Sequence, residues 1–288
     1  MISNDTYFFN PDIFDLLLFD QRGAGRSTPS LSLEANTTAH LINDIEALRR
    51  MAGHERMVIM GPSWGSTLAL AYAEAHPDRV AGLLVGGVFL GTKKELGWWH
   101  DPSGVPRFFP DAYADFISPV PVDLRSSAPE VIDWYRKAME DEVATGMPYL
   151  KALSSSDASI DQLRKSALYR WTEYEDRLSW LECSPEMART GMAARGVDFV
   201  ASHSMIEAHY FANDCFLSPG QLITNAEKLA DIPIQIIQSR YDMVCPPGAA
   251  FKLAEMCPKA ELTLVPVNGH AMTDQIFPLV AKALAKLA

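Results

Sequence analysis

The segment that most constrains how this chain folds is a short apolar run, Met57–Met60, followed at once by Gly61-Pro62-Ser63-Trp64-Gly65. Four consecutive apolar residues predict a buried strand, and residues 67–76 predict a helix. A serine between two glycines at a strand-to-helix turn has an exposed, reactive hydroxyl because the turn is tight and strained. We therefore predict that Ser63 is a nucleophile and that the backbone N–H of Trp64 donates to an oxyanion.

The alternation of strand and helix continues along the chain and predicts a mostly parallel, doubly wound sheet. One helix is predicted to follow the N-cap signal Asn36-Thr37-Thr38 and to end at Gly53, and a last helix is predicted over about 274–287. Together with the glycine-flanked serine, this pattern predicts the α/β class and the α/β-hydrolase fold. The predicted strands are Leu16–Phe19, Met57–Met60, Leu83–Val85, Ile234–Ile237 and Leu262–Val265.

The region 98–225 lacks apolar runs typical of parallel strands and is predicted to be helical. It reads as an insertion, so the predicted organisation is a core in two parts, residues 1–97 (N-terminally incomplete) and 226–288, with a helical lid domain over 98–225. The region holds five of the six tryptophans of the chain, including Trp171. The other four, Trp98, Trp99, Trp134 and Trp180, are expected to be core residues more often than substrate contacts.

Composition narrows the possible functions. The 288 residues carry a formal net charge of −11, so binding to a nucleic-acid backbone is disfavoured. No apolar run approaches the length of a membrane span, and Met1–Asp5 lacks the features of a signal peptide. The four cysteines show no metal-binding spacing and are expected to be reduced thiols. We predict a cytoplasmic protein that uses no cofactor and no metal, with no nucleic-acid or membrane partner; the oligomeric state is not predicted.

A serine nucleophile needs a histidine base and an acid that orients the histidine. In this fold the order along the chain is serine, acid, histidine. Of the seven histidines only His270 follows a late predicted strand, and Asp242 follows the strand before it. Both lie just past strand carboxyl ends, where open α/β sheets place their sites. The alternatives are a surface-loop histidine and an aspartate that caps a turn.

The sequence resembles the prolyl aminopeptidases, or proline iminopeptidases, over nearly its whole length. The similar segments are 19–27 (Phe-Asp-Gln-Arg-Gly-Ala-Gly-Arg-Ser), 36–38, 44–49, 63–72, 109–113, 240–242 and 269–270. The resemblance assigns Ser63, Asp242 and His270 as a catalytic triad. It implies a metal-independent enzyme that releases N-terminal proline from small peptides.

The resemblance also implies that two lid carboxylates, Glu175 and Glu207, bind the free amine of the substrate. A buried carboxylate left without its cationic partner costs about 3–5 kcal/mol, which predicts a strong preference for free amino termini. The alternative is that Glu175 belongs to a solvated charged face. Tyr174 and Ala208 replace the tryptophan and asparagine usual in the family, and Pro62 replaces a glycine, which blurs the expected preference for proline.

The family also carries a His-Gly-Gly-Pro-Gly loop whose backbone completes the oxyanion hole, and this sequence has no counterpart before residue 20; its only Gly-Gly pair is Gly86-Gly87. Two explanations stay open. In the first, the chain begins at an internal methionine of a longer protein; in the second, it is a degenerate paralogue with weak or no peptidase activity. Loss of one oxyanion donor typically lowers the rate by about 10²–10³.

Three functions compete on this basis. The first is a serine exopeptidase that releases N-terminal proline through an acyl-enzyme. The second is a carboxylesterase or amidase on the same core, for which Glu175 and Glu207 would be dispensable. The third is a catalytically impaired paralogue that acts as a binding protein, in which Ser63 would not react with a fluorophosphonate.

Overall fold

A computed structural model describes Phe9 and residues 12–288 of the chain. Within these residues the strands are β1 (Met57–Pro62), β2 (Val80–Gly86), β3 (Ile234–Ser239) and β4 (Ala260–Val265). The α-helices are α1 (Thr38–Met51), α2 (Trp64–Ala75), α3 (Lys93–His100), α4 (Pro110–Ile117), α5 (Ala128–Ala144), α6 (Ile160–Leu163), α7 (Ala167–Ser179), α8 (Pro185–Arg195), α9 (Val197–Ala212), α10 (Gln221–Thr224), α11 (Gly248–Met256) and α12 (Phe277–Leu287).

The described strands form one parallel sheet in the order β1-β2-β3-β4. Pro62 at the end of β1 lies opposite Gly86 at the end of β2, and Ser239 lies opposite Val265 at the ends of β3 and β4. The loops that follow the strands therefore leave the sheet at one edge. This arrangement confirms the predicted parallel α/β sheet and brings together chain segments far apart in sequence.

Apolar side chains that alternate along the strands pack the sheet against its helices. Leu84, Ile237 and Val265 form one buried cluster with Val280 and Leu284 of α12. Helix α2 packs against β1 and β2, and α1 packs against α2. The predicted helices after residue 38 and near the C-terminus are confirmed, although α12 begins at Phe277, where Pro278 occupies its first turn.

The predicted strand Leu16–Phe19 is wrong for this structure. These residues form no strand, and their side chains are 37–41% exposed. An apolar run becomes a strand only if a neighbouring strand accepts its backbone hydrogen bonds. In the described sheet β1 is an outer strand, and Leu16–Phe19 does not pair with it or with any other described strand.

The chain divides into two compact units. The first contains the described residues up to Phe19 together with Thr38–Gly91 and Leu217–Ala288, and so holds the whole sheet. The second contains Asp20–Thr37 and Thr92–Phe216, so that 20–37 groups with the helical segment rather than with the sheet.

The second unit is built from helices around an aromatic core. The ring of Phe116 stacks on Tyr135 and on Tyr174 at centroid distances of 4.4 Å and 4.5 Å. Trp99 and Trp171 are also buried, whereas Trp180, which was expected to be a core residue, is 47% exposed. Among the described residues, no helix combines the length and the apolar character needed to cross a membrane.

Candidate active site

Ser63 lies at a strained turn between β1 and α2. Its backbone has φ 55° and ψ −127°, a conformation that non-glycine residues rarely adopt. Its N–H donates to the carbonyl of Gly86 at 2.9 Å, which fixes the turn against β2. A Cβ on Gly61 would lie 2.2 Å from the carbonyl oxygen of Gly65, so only glycine fits at position 61. Backbone strain held at one partly buried serine is typical of a functional residue.

His270 and Asp242 continue from Ser63 in a chain of hydrogen bonds. The Nε2 atom of His270 lies 3.0 Å from Ser63 Oγ, and its Nδ1 atom lies 2.8 Å from Asp242 Oδ2. The Asp242 side chain is 1% exposed and that of His270 is 13% exposed. The structure thus brings together the three residues selected from the sequence, within hydrogen-bond reach and in the order that general-base activation of a serine needs.

The backbone of the following loop holds the Asp242 carboxylate in place. The N–H groups of Val244 and Cys245 donate to Oδ1 at 3.0 Å and 2.7 Å. Buried Gln238 adds a contact to Oδ2 at 3.4 Å, and its amide also donates to the carbonyl of Cys245 and accepts from the N–H of Val88. One glutamine therefore ties the end of β3 to the loop after β2 and leaves Asp242 little freedom to rotate.

Buried Asn268 orders the loop that carries His270. Its amide donates to Ser239 Oγ at 2.9 Å and to the carbonyl of Ala271 at 3.0 Å. Its side-chain oxygen accepts from Thr273 Oγ1 at 2.7 Å. The Asn268 side chain thus connects the His270 loop to Ser239 at the end of β3 and to the residues that follow the histidine. These contacts position the imidazole.

Gly87 packs directly against the histidine. It has φ +51°, and a Cβ there would lie 2.9 Å from His270 Cε1 and 3.4 Å from Asp242 Oδ2. Gly87, the second residue of the Gly86-Gly87 pair, is therefore part of this site. It leaves room for the imidazole beside the end of β2.

The predicted oxyanion donor, Trp64, is the first residue of α2. Its backbone N–H therefore belongs to the helix N-terminus, where the helix dipole favours negative charge. Ser66 anchors this first helical turn, since its hydroxyl donates to the carbonyl of Ser63 at 2.6 Å and accepts from the N–H of Phe89 at 3.0 Å.

The two predicted amine-binding residues lie together in the second unit. Glu175 is on α7, Glu207 is on α9, and these helices pack against each other. The indole N–H of Trp171 donates to Glu207 Oε2 at 2.6 Å. Between the carboxylates lies His203, whose Nε2 atom makes a short contact with Glu175 Oε2 and lies 3.9 Å from Glu207 Oε2.

The alternative of a solvated charged face does not describe this helix. The Glu173, Glu175 and Asp176 side chains are 3%, 13% and 13% exposed. Glu173 pairs with Arg164, and Asp176 pairs with Arg195. Each carboxylate on this stretch of α7 therefore has a partner within the second unit.

Burial and neighbouring charges have opposite effects on the pKa values of His203 and Asp176. Burial works against a proton on His203, but the adjacent Glu175 carboxylate and the more distant Glu207 outweigh it and raise the pKa of His203 to about 9. Burial raises the pKa of Asp176 to about 6, although the ion pair with Arg195 opposes this rise. Three carboxylates, those of Glu175, Asp176 and Glu207, therefore lie in a largely buried part of the second unit.

Sequence reasoning missed His203, Gly87 and Gln238. His203 precedes Glu207 by one helical turn, and that spacing places both side chains on one face of a helix. His203 lies within a helix, whereas the catalytic histidine of this fold follows a late strand. Gly87 and Gln238 gave no local signal, since their roles arise from contacts across the sheet.

Comparisons with known proteins identify the family of the chain. A family model for the alpha/beta hydrolase fold matches residues 7–275. A probable proline iminopeptidase from Leptolyngbya boryana is 37% identical over 268 residues, which cover 93% of this chain and 76% of that protein. A proline iminopeptidase from Arabidopsis thaliana is 38% identical over 268 residues, covering 93% of this chain and 64% of that protein.

Among solved structures, an esterase from Exiguobacterium antarcticum superposes with a TM-score of 0.57 at 17% identity, covering 93% of this chain and 79% of the esterase. That similarity concerns the fold alone. The sequence similarities go further: the chain belongs to the α/β-hydrolase family and, within it, to the hydrolases of the proline iminopeptidase type.

Proposed function

We propose that this protein is a serine exopeptidase that releases N-terminal proline from small peptides. The observation that carries the proposal is the hydrogen-bonded chain from Ser63 Oγ through His270 to Asp242. The relatives named proline iminopeptidase support the choice of substrate. The helical segment 98–225 would be the substrate-binding lid domain of the enzyme.

In the proposed mechanism His270 Nε2 accepts the proton of Ser63 as Oγ attacks the carbonyl carbon of the N-terminal residue. Asp242 keeps the proton on His270 Nδ1 and stabilises the imidazolium that forms. The N–H of Trp64 donates to the developing oxyanion. His270 then protonates the departing amine, and a water molecule activated by the same imidazole hydrolyses the acyl-enzyme.

Glu175 and Glu207 would bind the protonated amine of the substrate. A secondary ammonium, as in N-terminal proline, has two N–H donors, and two carboxylates on facing helices can accept one each. Internal peptide bonds and blocked termini bring no cation to this site. The two carboxylates would thereby favour free amino termini over blocked ones.

The test compares proline p-nitroanilide with its N-acetylated form. Ser63→Ala should abolish hydrolysis of the first, while Ser126→Ala, at an exposed serine, serves as the matched control. A charge-assisted hydrogen bond contributes about 1.5–3 kcal/mol, so Glu175→Gln and Glu207→Gln should each lower kcat/KM for the free amine by about ten- to 150-fold. Glu186→Gln, at an exposed glutamate of α8, controls for loss of charge.

Equal hydrolysis of the free and acetylated substrates would refute the role of the carboxylates. Rapid hydrolysis of short acyl esters that is insensitive to Glu175→Gln and Glu207→Gln would favour the carboxylesterase or amidase instead. If Ser63 fails to react with a fluorophosphonate, the nucleophile itself is inactive, and the binding-protein hypothesis takes the place of the enzyme.

A further inference from the structure

His203 contacts both Glu175 and Glu207, and it has no part in the proposed mechanism. One ligand-type atom from each side chain lies within 4.8 Å of the other two. His203 and Glu207 are one turn apart on α9, and Glu175 faces them from α7. Two carboxylates and one imidazole are a donor set that first-row transition metals accept.

The helices that carry these side chains are joined next to the cluster. Thr172 Oγ1 and Ser204 Oγ lie 2.7 Å apart, and the Ser204 hydroxyl donates to the carbonyl of Leu168 at 2.8 Å. Thr172 and Ser204 are fully buried. This link fixes the register of α7 against α9, and with it the relative backbone positions of Glu175, His203 and Glu207.

Neighbouring groups also orient the individual side chains. The His203 ring stacks on Phe199 at a centroid distance of 5.6 Å and an interplanar angle of 8°. Trp171 holds Glu207 Oε2 through its indole N–H. At metal sites, contacts of this kind orient the side chains that bind the metal.

We propose that Glu175, His203 and Glu207 form a binding site for Zn²⁺. Zinc bonds of about 2.1 Å in tetrahedral geometry separate ligand atoms by about 3.4 Å. The His203–Glu207 distance of 3.9 Å is already near this value. Glu175 Oε2 would move away from His203 Nε2, and the metal would enter between them.

Binding requires a neutral imidazole, so any proton on His203 Nε2 passes to solvent as the zinc–nitrogen bond forms. The two carboxylates supply two negative charges and balance the ion. With three protein ligands, the fourth position is open to water. The nitrogen ligand selects against Mg²⁺ and Ca²⁺, and affinity should rise in the order Mn²⁺, Co²⁺, Zn²⁺.

The consequence for activity rests on the proposed function. If Glu175 and Glu207 bind the substrate amine, zinc and substrate require the same oxygen atoms. Zinc would then be a competitive inhibitor of proline p-nitroanilide hydrolysis, acting at the amine site and not at Ser63. His203 is the residue that adds metal affinity to a pair of carboxylates.

Calorimetric titration of the purified protein with Zn²⁺ tests the site without any reference to activity. We expect one equivalent to bind, with affinity at least about tenfold weaker in His203→Gln, Glu175→Gln and Glu207→Gln. Glu186→Gln should keep the wild-type isotherm. Near-UV circular dichroism identifies any variant that does not fold, and the remaining variants then decide. Unchanged zinc affinity in the folded variants, or no binding by the wild type, overturns the proposal.

Inhibition and labelling locate the zinc. The concentration of zinc that halves the rate, measured against the uninhibited rate of each protein, should rise at least about tenfold in His203→Gln. Fluorophosphonate labelling of Ser63 should not be slowed by zinc. Equal slowing in wild type and His203→Gln would place the metal at His270 and overturn the assignment. If proline p-nitroanilide is not hydrolysed at all, the proposed function fails, while the calorimetry still decides the zinc site.

Discussion

His100, at the end of α3, gives the sharpest stability prediction. Its side chain is 1% exposed and lies against the rings of Phe116 and Trp171, at centroid distances of 5.5 Å and 5.7 Å. Within the described part of the chain, neither ring nitrogen has a hydrogen-bond partner. Burial lowers the pKa of His100 from 6.5 to about 3, so the folded protein holds this imidazole neutral.

The sign and the size of the pH effect on stability follow from the difference between the pKa of His100 in the unfolded chain and in the folded protein. Above pH 6.5 neither state binds the proton, and the folded state keeps its full stability. Below pH 6.5 only the unfolded chain takes up the proton, so the free energy of unfolding falls by about 1.4 kcal/mol per pH unit until the folded-state pKa is reached. Between pH 7.5 and pH 5.0 the loss from His100 alone is about 2 kcal/mol.

The variant His100→Leu removes the titration and fills a similar volume. Urea unfolding followed by tryptophan fluorescence, at several pH values from 7.5 to 5.0, gives the difference in unfolding free energy between variant and wild type. Packing changes shift this difference by an amount that does not depend on pH, whereas loss of the buried imidazole should make it rise in favour of the variant by about 2 kcal/mol towards pH 5.0. His54→Gln, at an exposed histidine, is the matched control. A difference for His100→Leu that stays constant across this range would refute the reasoning.

Three further predictions concern single side chains. Asp242→Asn should lower kcat for proline p-nitroanilide by about 10⁴-fold, because an amide stabilises the wrong histidine tautomer; an effect below tenfold would contradict the role of Asp242. Gly87→Ala places a Cβ 2.9 Å from His270 Cε1, so kcat should fall at least about tenfold, and an unchanged kcat would show that the loop adapts. Arg49 and Tyr72 lower the pKa of Glu46, whose stabilisation is therefore present above pH 4.5 and is lost at lower pH. Glu46→Gln should destabilise the protein by about 1–3 kcal/mol in urea unfolding at pH 7, with the difference shrinking in acid.

The parts of the site that could be predicted are those that topology dictates. In a parallel sheet every strand carboxyl end lies at one edge, so residues just past β1, β3 and β4 must lie near one another. Ser63, Asp242 and His270 all occupy such positions. Their proximity follows from the strand pattern, without any knowledge of side-chain packing.

The parts that could not be predicted depend on neighbours distant in sequence. Leu16–Phe19 has the composition of a buried strand, but a strand also needs a pairing partner, and composition does not reveal one. Gly87 matters because His270 lies against it, and Gln238 matters because it bridges two loops. Each of these roles is a tertiary contact between residues that have no local pattern in common.

The structure also changes the expected strength of the preference for free amino termini. From the sequence alone, Glu175 and Glu207 are expected to be buried carboxylates with no partner when no substrate amine is bound, at a cost of about 3–5 kcal/mol. In the structure Glu175 contacts His203, and Glu207 accepts from Trp171. A blocked peptide would therefore leave neither carboxylate bare. In the proposed function the substrate ammonium would contribute its own charge-assisted hydrogen bonds, worth about 1.5–3 kcal/mol. The selectivity for free over blocked amino termini should therefore be about ten- to 150-fold, below the thousandfold expected if both carboxylates had no partner.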